Sequence, residues 1–476
     1  MTVRGAGLLA GLLLSLAGPA RSLACEWTLA GLVVDAAAAL RRYDELAERF
    51  NDAAAPAVTR VVFTDADVGA RAWLKGLLRD AGLAVRDDPM GNIFGRWEGS
   101  DPALAPVVTG SHTDAIPLAG KFDGVLGVLG VLGALEAVKA LQAAGFRPTR
   151  SIEVLMFTSE EPTRFGLGCS GSRAMAGKLP AELLDGLCTK YPEEDCGTTF
   201  VQAAHAAGVG AAYATNAELV AATRVPRGAV HAFVELHIEQ GPTLERAGVD
   251  IGVVTDIAAP ATLLVEFHGN GGHAGGLLMP DRKDAGLAAA ELSLAVERHV
   301  KGTGAIDAVG TAGKVVLEPG AVNSVPRVAR MEIDVRDIDG ARRDRTVQRI
   351  IASGEEIAHL RGVTFSHRIL NADAPADCAP EVEGAVAWAA ASLGLSSTRM
   401  VSRAYHDALF MASVAPTGMI FVPCRDGVSH RPDEWISEKW LADGVKTLGL
   451  TLARLAGGSG LGAGCEAGAG GGKQEL

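Results

Sequence analysis

The sequence predicts a two-domain α/β chain in which a small α+β unit interrupts an open, helix-covered sheet. Three observations carry that expectation. The chain has 476 residues, more than one hydrophobic core usually serves. Four apolar runs read as strands buried on both faces: VVTGSH from Val107, SIEVLMFT from Ser151, VHAFVELHIEQ from Val230 and MIFVPC from Met419. From Ala258 the texture changes to alternation, as in TLLVEFHG, which suits a sheet with one wet face.

Taken in order, residues 28–50 form an amphipathic helix with Arg41, Arg42, Glu45 and Glu48 on one flank, and residues 66–82 repeat the pattern. MGNIFGRWEG (90–99) reads as the edge of a strand pair. The Val107 strand runs into a polar loop carrying His112, Asp114 and Asp123. GVLGVLGVLGALEAVKAL (124–141) is apolar nearly all round, a buried helix. Its glycines cost helix propensity, which close packing on the sheet would justify. The strand 151–158 ends in Ser159-Glu160-Glu161, residues 185–230 read as loops with helical pieces, and the strand 230–240 ends in His237, Glu239 and Gln240.

Residues 258–370 carry a strand, a helix (281–300), two strands around a turn, a helix (341–360) and the strand VTFSHRIL, a β-α-β-β-α-β order. Segments 25–257 and 371–456 enclose this unit as one domain. The second segment holds a helix (381–393), the loop SRAYHDA (402–408), the strand 419–424, the loop RDGVSHRPDE and a final helix to about Leu455. Residues 457–476 are a Gly/Ala-rich tail that presents a terminal KQEL.

Apolar residues make up 48% and charged residues 21%, a globular balance. A net charge of −12 excludes a nucleic-acid binder. Residues 1–24 resemble a secretory signal: Arg4, then an apolar stretch from Ala6 to Leu16 too short to span a bilayer. No membrane anchor is expected. KQEL is one substitution from the K-D-E-L retention signal, so the expected compartment is the endoplasmic reticulum lumen. The seven cysteines lack a CxxC and do not form a thiolate metal site. In an oxidising lumen Cys188 and Cys196 can pair within one loop.

In open α/β sheets ligands gather at the carboxyl ends of the strands. Here those ends hold His112, Asp123, Glu160-Glu161, His237 and, one loop on, His430. Imidazole and carboxylate without thiolate suit zinc or manganese, and two such ions serve hydrolysis by acidifying water and polarising a carbonyl. A carboxylate beside a ligand is the natural general base. His205, His231, His268, His299, His359 and His367 read as structural. Gln240 is a strand-end cap or a donor to substrate. Read alone, Asn323 is a turn residue, and Arg336 is an outward strand residue beside Glu332 and Asp334.

The segments GSHTDAIPLAGKFDG, FTSEEPTRFG, ELHIEQGP, GNGGHAG, GAVNSVP and IDVRD follow one another over residues 30–455. With them the chain resembles the di-metal amidohydrolases related to aminoacylase- and carboxypeptidase-type metallopeptidases, in the branch with allantoate amidohydrolase and N-carbamoyl-amino-acid hydrolases. The resemblance implies an exopeptidase-like catalytic domain and a ferredoxin-like lid and dimerisation domain over 258–370. It implies two divalent metals per subunit, manganese ahead of zinc. His112 and His237 would hold one, Glu161 and His430 the other, with Asp123 between them. Asp114 would orient His112, and Glu160 would be the base. His273 would reach the partner subunit's site and stabilise the oxyanion. Asn323 and Arg336 would hold a substrate carboxylate, and Gln240 a ureido group.

Within that branch Tyr405 stands where relatives acting on allantoate usually have glycine. The AYHDA loop looks like the plant and algal ureidoglycolate amidohydrolases. Tyr405 would fill space and add a hydroxyl, and His406 would contact substrate with Asp407 fixing its tautomer. The implied reaction is hydrolysis of (S)-ureidoglycolate to glyoxylate, ammonia and carbon dioxide, the last step of nitrogen recovery from purines. Allantoate or an N-carbamoyl amino acid is the alternative substrate. A non-catalytic ligand-binding relative is opposed by the complete ligand set and Glu160.

Overall fold

Continuous apolar strands have no wet face to offer, so they belong in the middle of a covered sheet. In a computed structural model describing residues 32–121, 127–192 and 196–460, Val107–His112, Ile152–Phe157, Ala232–Ile238 and Thr417–Val422 are buried along their whole length. They pair in parallel at the centre of a nine-stranded sheet. The helices Gly127–Ala143 and Glu438–Ala456 share one core with Val107, Val234, Leu236 and Ile420. On the other face Phe157, Phe233 and Phe421 pack with the short helices Ser170–Met175 and Asp407–Met411.

The glycines of the buried helix have the packing role that their cost demanded. A Cβ on Gly130 would sit 2.4 Å from the Ser111 Cβ and 3.1 Å from the Leu236 carbonyl oxygen. Only a residue without a side chain lets the helix lie that close to the strands that end in His112 and His237.

The sheet continues on one side through Ile93–Trp97 and Ala84–Asp87, both antiparallel. On the other side lie Ile251–Ile257, Ala376–Asp377 and Ser397–Ser402. The sequence reading does not anticipate Ile251–Ile257 or Ser397–Ser402. The latter, STRMVS, is polar and half-exposed, and it is a strand because of the neighbour it pairs with. The stretch after His112 also differs from the expected polar loop. Ala115–Ala119 is a strand antiparallel to Val58–Arg60, with Ala115 and Ala119 buried. Asp123 lies outside the described residues, as do residues 1–24, read above as a secretory signal, and the KQEL terminus. Among the described residues no helix is long and apolar enough to cross a membrane.

The alternating segment builds a second sheet, ordered Val309–Glu318, Val328–Asp337, Ala259–His268, Thr364–Ala372, antiparallel throughout. Ala261, Leu263, Val265 and Phe267 face the helices Ala285–Lys301 and Gly340–Arg361. Thr262, Leu264 and Glu266 alternate onto the other, half-exposed face. Where the chain crosses between the two sheets, the buried Arg343 donates to the carbonyls of Ala259 and Asp373, tying the entering strand to the leaving segment. Residues 181–223 contain three short helices around Phe165, Phe200 and Leu219, with a disulfide between Cys188 and Cys196.

Candidate active site

Four parallel strands deliver their last residues to one edge. His112 closes its strand, Glu160 and Glu161 follow Phe157, and His237 is the penultimate residue of its strand. The register Val107↔Ala232, continued along the strands, brings His112 level with His237. His430 arrives from the loop after Thr417–Val422. A cavity of about 600 Å³ opens above this edge and is roofed by the half-exposed face of the smaller sheet.

The Asp114 carboxylate joins these parts. It is 1% exposed. Its Oδ1 accepts the Glu160 amide at 3.2 Å and its Oδ2 the Glu161 amide at 3.0 Å. The His112 Nδ1 lies 3.6 Å from Oδ1 and donates to the Asp114 carbonyl at 3.0 Å. Sequence reasoning expected the carboxylate to orient His112. In the structure the carbonyl makes the direct bond, and the carboxylate also fixes the next strand's Glu-Glu turn. A carbonyl only accepts, so Nδ1 carries the proton and Nε2 is left to face the cavity. His237 is set the same way, its Nδ1 donating to the Ile238 carbonyl at 2.9 Å. Fixing one ring nitrogen so that the other can ligate is what metal-binding histidines require.

Backbone strain gathers at the same edge. Ser159, Cys169, Gln240 and His430 all adopt positive φ, between 53° and 60° for Ser159, Cys169, Gln240 and His430. Such conformations cost about 1–3 kcal/mol each and concentrate at functional sites. Ser159 turns the chain so that the two glutamate amides meet Asp114.

Burial dominates the electrostatics. It raises the Glu160 carboxyl to about 7 and pushes Glu161 up, with the neighbouring Glu160 adding to the Glu161 shift. It lowers His237 to about 4. At His112 burial disfavours the cation, but Glu160, Asp114 and Glu161 outweigh it and hold the ring well above its usual range. At Asp114 burial opposes ionisation, and the His112 ring and the glutamate amides overcome it. The site is thus rich in carboxylate and short of positive charge. Its nitrogen and oxygen donors fit divalent cations. The His112 Nε2 is 3.6 Å from the Glu160 Oε2, and the His430 Nε2 is 3.7 Å from the Glu161 Oε1. Among the described residues the donors meet in such pairs and not as a three-ligand cage; the expected bridge, Asp123, lies outside them.

The expected substrate residues divide. Gln240, Arg336, Tyr405 and His406 line the cavity. Gln240 donates to the Ser429 hydroxyl at 3.2 Å, and the Arg336 guanidinium is held by Asp334 at 2.9 Å. His273 and Asn323 do not line it. They sit on an exposed strand pair of the smaller unit, where Gly272–His273 pairs with Ser324–Val325 and the Ala274 amide donates to the Asn323 carbonyl.

Two expectations in the Tyr405 loop are corrected. Asp407 does not hold His406. It accepts the Ser172 hydroxyl at 2.5 Å, while the His406 Nε2 meets the Ser402 Oγ at 2.9 Å. His406 is extended and Asp407 begins a helix, so their side chains diverge. Tyr405 does not offer a free hydroxyl to a ligand either. It receives a bond from Arg173 at 2.5 Å and donates to Asp373 at 2.7 Å, and Arg173 forks onto Asp373 at 2.7 and 2.8 Å. This part-buried triad joins the catalytic domain to the chain leaving the smaller unit.

Sequence reasoning missed that triad, and it missed Glu235. Glu235 accepts from the Ser111 hydroxyl at 2.6 Å and the Ala408 amide at 3.0 Å. A signal existed: in VELHIEQ, Glu235 and His237 share one face of an otherwise apolar strand.

Comparison with known proteins places this arrangement among hydrolases. Residues 108–454 match the model of peptidase family M20/M25/M40. The chain is 53% identical over 423 residues to the ureidoglycolate hydrolase of Oryza sativa subsp. japonica, covering 89% of this chain and 85% of that protein. With the ureidoglycolate hydrolase of Arabidopsis thaliana it shares 52% over 426 residues, 89% and 87% of the two chains. The crystal structure of AtUAH in complex with (S)-hydroxyglycine superposes with a TM-score of 0.83 at 50% identity, covering 90% of this chain and 99% of that one. Its complex with glyoxylate gives the same TM-score, 0.83, and the same coverage at 51% identity.

With its hydroxyl committed to Arg173 and Asp373, Tyr405→Phe is expected to act on stability first. Denaturant unfolding should show a loss of about 1–2 kcal/mol, while KM rises far less than the roughly tenfold that a lost substrate hydrogen bond would cause. Unchanged stability with a tenfold KM increase would put the hydroxyl on the substrate instead.

Proposed function

The chain belongs to the M20/M25/M40 peptidase family, and from that premise we propose that it hydrolyses (S)-ureidoglycolate. The observation that carries the reading is the identity shared with ureidoglycolate hydrolases along nearly the whole chain. The complexes of the solved relative with (S)-hydroxyglycine and glyoxylate support it. Water adds to the ureido carbonyl, and the bond from that carbon to the substituted nitrogen breaks. Carbamate and hydroxyglycine are released and decompose to carbon dioxide, glyoxylate and two ammonia molecules.

Glu160 is the proton carrier. It lies on the cavity wall, with the Cys169 thiol 3.7 Å from one oxygen and the His112 ring 3.6 Å from the other. A carboxyl raised to about 7 by burial is matched to taking a proton from water and returning it to the leaving nitrogen near neutral pH. Family members typically use a dinuclear metal centre. Two divalent ions, when bound, would polarise the carbonyl and acidify the attacking water. We assign His112 and His237 to one and Glu161 and His430 to the other, with Asp123 between them and manganese preferred to zinc. Gln240 and His406 contact the substrate, Arg336 takes its carboxylate, and Tyr405 narrows the cavity from its triad.

His273 and Asn323 act in trans in a homodimer. Their strand pair is exposed and lies outside the chain's own cavity. The edge strand of the smaller sheet exposes Val315, Val316 and Leu317, and the adjoining helix exposes Leu287 and Leu294. An apolar unpaired edge is a template for a second copy. The terminal signals and the Cys188–Cys196 disulfide suit an oxidising lumen. The mature protein is therefore expected to begin at Cys25; an N-terminus at Met1 in material from the native source would refute that placement.

Stripping metal should abolish turnover and manganese should restore it, with ureidoglycolate far ahead of allantoate and N-carbamoyl amino acids. Preference for either alternative would overturn the substrate assignment. Glu160→Gln should bind metal and be inactive, as should a metal-loaded His273→Ala. Mixing these two variants after dissociation should regenerate about a quarter of the wild-type sites if His273 acts across the dimer. No recovery would place it in its own site or none.

A further inference from the structure

We propose that Lys190 is an anchor for the substrate's carboxylate, held on the cavity wall by a loop that the Cys188–Cys196 disulfide closes. The inference rests on the reading of the substrate as a small ureido acid.

An anion entering this cavity meets mostly carboxylate. Glu160 and Glu161 lie at its floor, and Glu332 and Asp334 on its roof. The roof's two cations are already engaged. The Lys314 Nζ is 3.1 Å from Glu332, and Asp334 grips the Arg336 fork. Lys190 lines the same cavity from the catalytic domain. No carboxylate of the described residues forms an ion pair with it. Among the described residues it is therefore the cavity-lining cation without a carboxylate partner; Glu193, Glu194 and Asp195 of its loop lie outside them.

Its placement is built. The Lys190 amide donates to the Arg164 carbonyl at 2.6 Å. The amide and hydroxyl of Thr189 both donate to the Thr198 carbonyl at 2.9 Å. The disulfide joins the two sides of this loop, Cys188 and Cys196, eight residues apart. The lysine stem then crosses Gly166. A Cβ on Gly166 would sit 2.8 Å from the Lys190 Nζ, 3.0 Å from Cε and 3.1 Å from Cδ. Gly166 also has φ +73°, a region side chains rarely adopt. The bare Gly166 backbone is thus the surface over which the lysine stem runs. An ammonium offers three rotatable donors on a flexible stem, suited to meeting a carboxylate as it arrives, while Arg336 on the roof turns its Nε and Nη2 to Asp334 and has Nη1 left for the substrate.

The test is steady-state kinetics of the metal-loaded enzyme with ureidoglycolate and with its uncharged carboxamide analogue. A lost charge-assisted bond in a partly wet site corresponds to about tenfold in affinity. Lys190→Gln should raise KM for the carboxylate about that much with little change in kcat, and leave KM for the carboxamide unaltered. Lys190→Arg should recover most of the loss. Opening the disulfide by Cys188→Ser with Cys196→Ser should raise the same KM, and the effect should vanish in the Lys190→Gln background because both act through one ammonium. An unchanged carboxylate KM in Lys190→Gln, or an equal rise for the carboxamide, overturns the proposal. If the wild type ignores ureidoglycolate but hydrolyses another ureido acid, the substrate reading alone fails, and the same comparison on that acid decides the role of Lys190. If it hydrolyses no ureido acid, both fall.

Discussion

One buried carboxylate, Asp114, holds the catalytic edge together. It takes the amides of Glu160 and Glu161 while its own residue fixes the His112 ring. The parallel strands ending at His112 and Phe157 are neighbours, but strand pairing stops where the strands stop. Beyond that point nothing in the ladder dictates where two glutamates and a histidine should lie. Asp114 replaces the missing ladder bonds with charge-assisted ones, roughly twice as strong as neutral ones. It also permits the left-handed turn at Ser159, because the amides that this turn exposes find an acceptor.

The same edge concentrates acid where water is scarce. Burial pushes up the carboxyls of Glu160, Glu161, Glu235 and Asp407. Buried charge without a counter-charge is expensive, and the packed sheet around it supplies the stability that offsets the cost. Divalent cations are the natural relief, and they also serve hydrolysis by polarising a carbonyl and acidifying water. Stability and chemistry therefore ask for the same ions. The rest of the cavity is enclosed by its roof and rim. There the smaller sheet brings Arg336, and a part-buried triad of Arg173, Asp373 and Tyr405 fixes how the chain returns from it.

Much of this was legible in the sequence. The four central strands announced themselves as continuous apolar runs, and their polar ends named His112, Glu160, Glu161 and His237. The alternation in TLLVEFHG announced a sheet with one open face. What stayed hidden depends on distant partners. Ser397–Ser402 is a strand only because Ile251–Ile257 lies beside it. Tyr405 meets Arg173 from 232 residues away, so no local pattern shows that its hydroxyl is already occupied. Asp407 beside His406 looked like a pair, yet a change from extended chain to helix between them points the two side chains apart. Glu235 was visible as a charge on the His237 face of a buried strand, a pattern that asks for a partner even before the partner is known.

The role of Asp114 can be measured directly by comparing Asp114→Asn with the wild type for divalent-metal affinity and for turnover of ureidoglycolate. An asparagine keeps the shape but removes the charge and turns one of the two acceptor oxygens into a donor facing an amide. Metal affinity should fall about 10–100-fold, the usual effect of losing a group that orients metal ligands, and turnover at limiting metal should fall with it while the protein stays folded. Wild-type metal affinity and wild-type turnover in Asp114→Asn would contradict the claim that this carboxylate sets the catalytic edge.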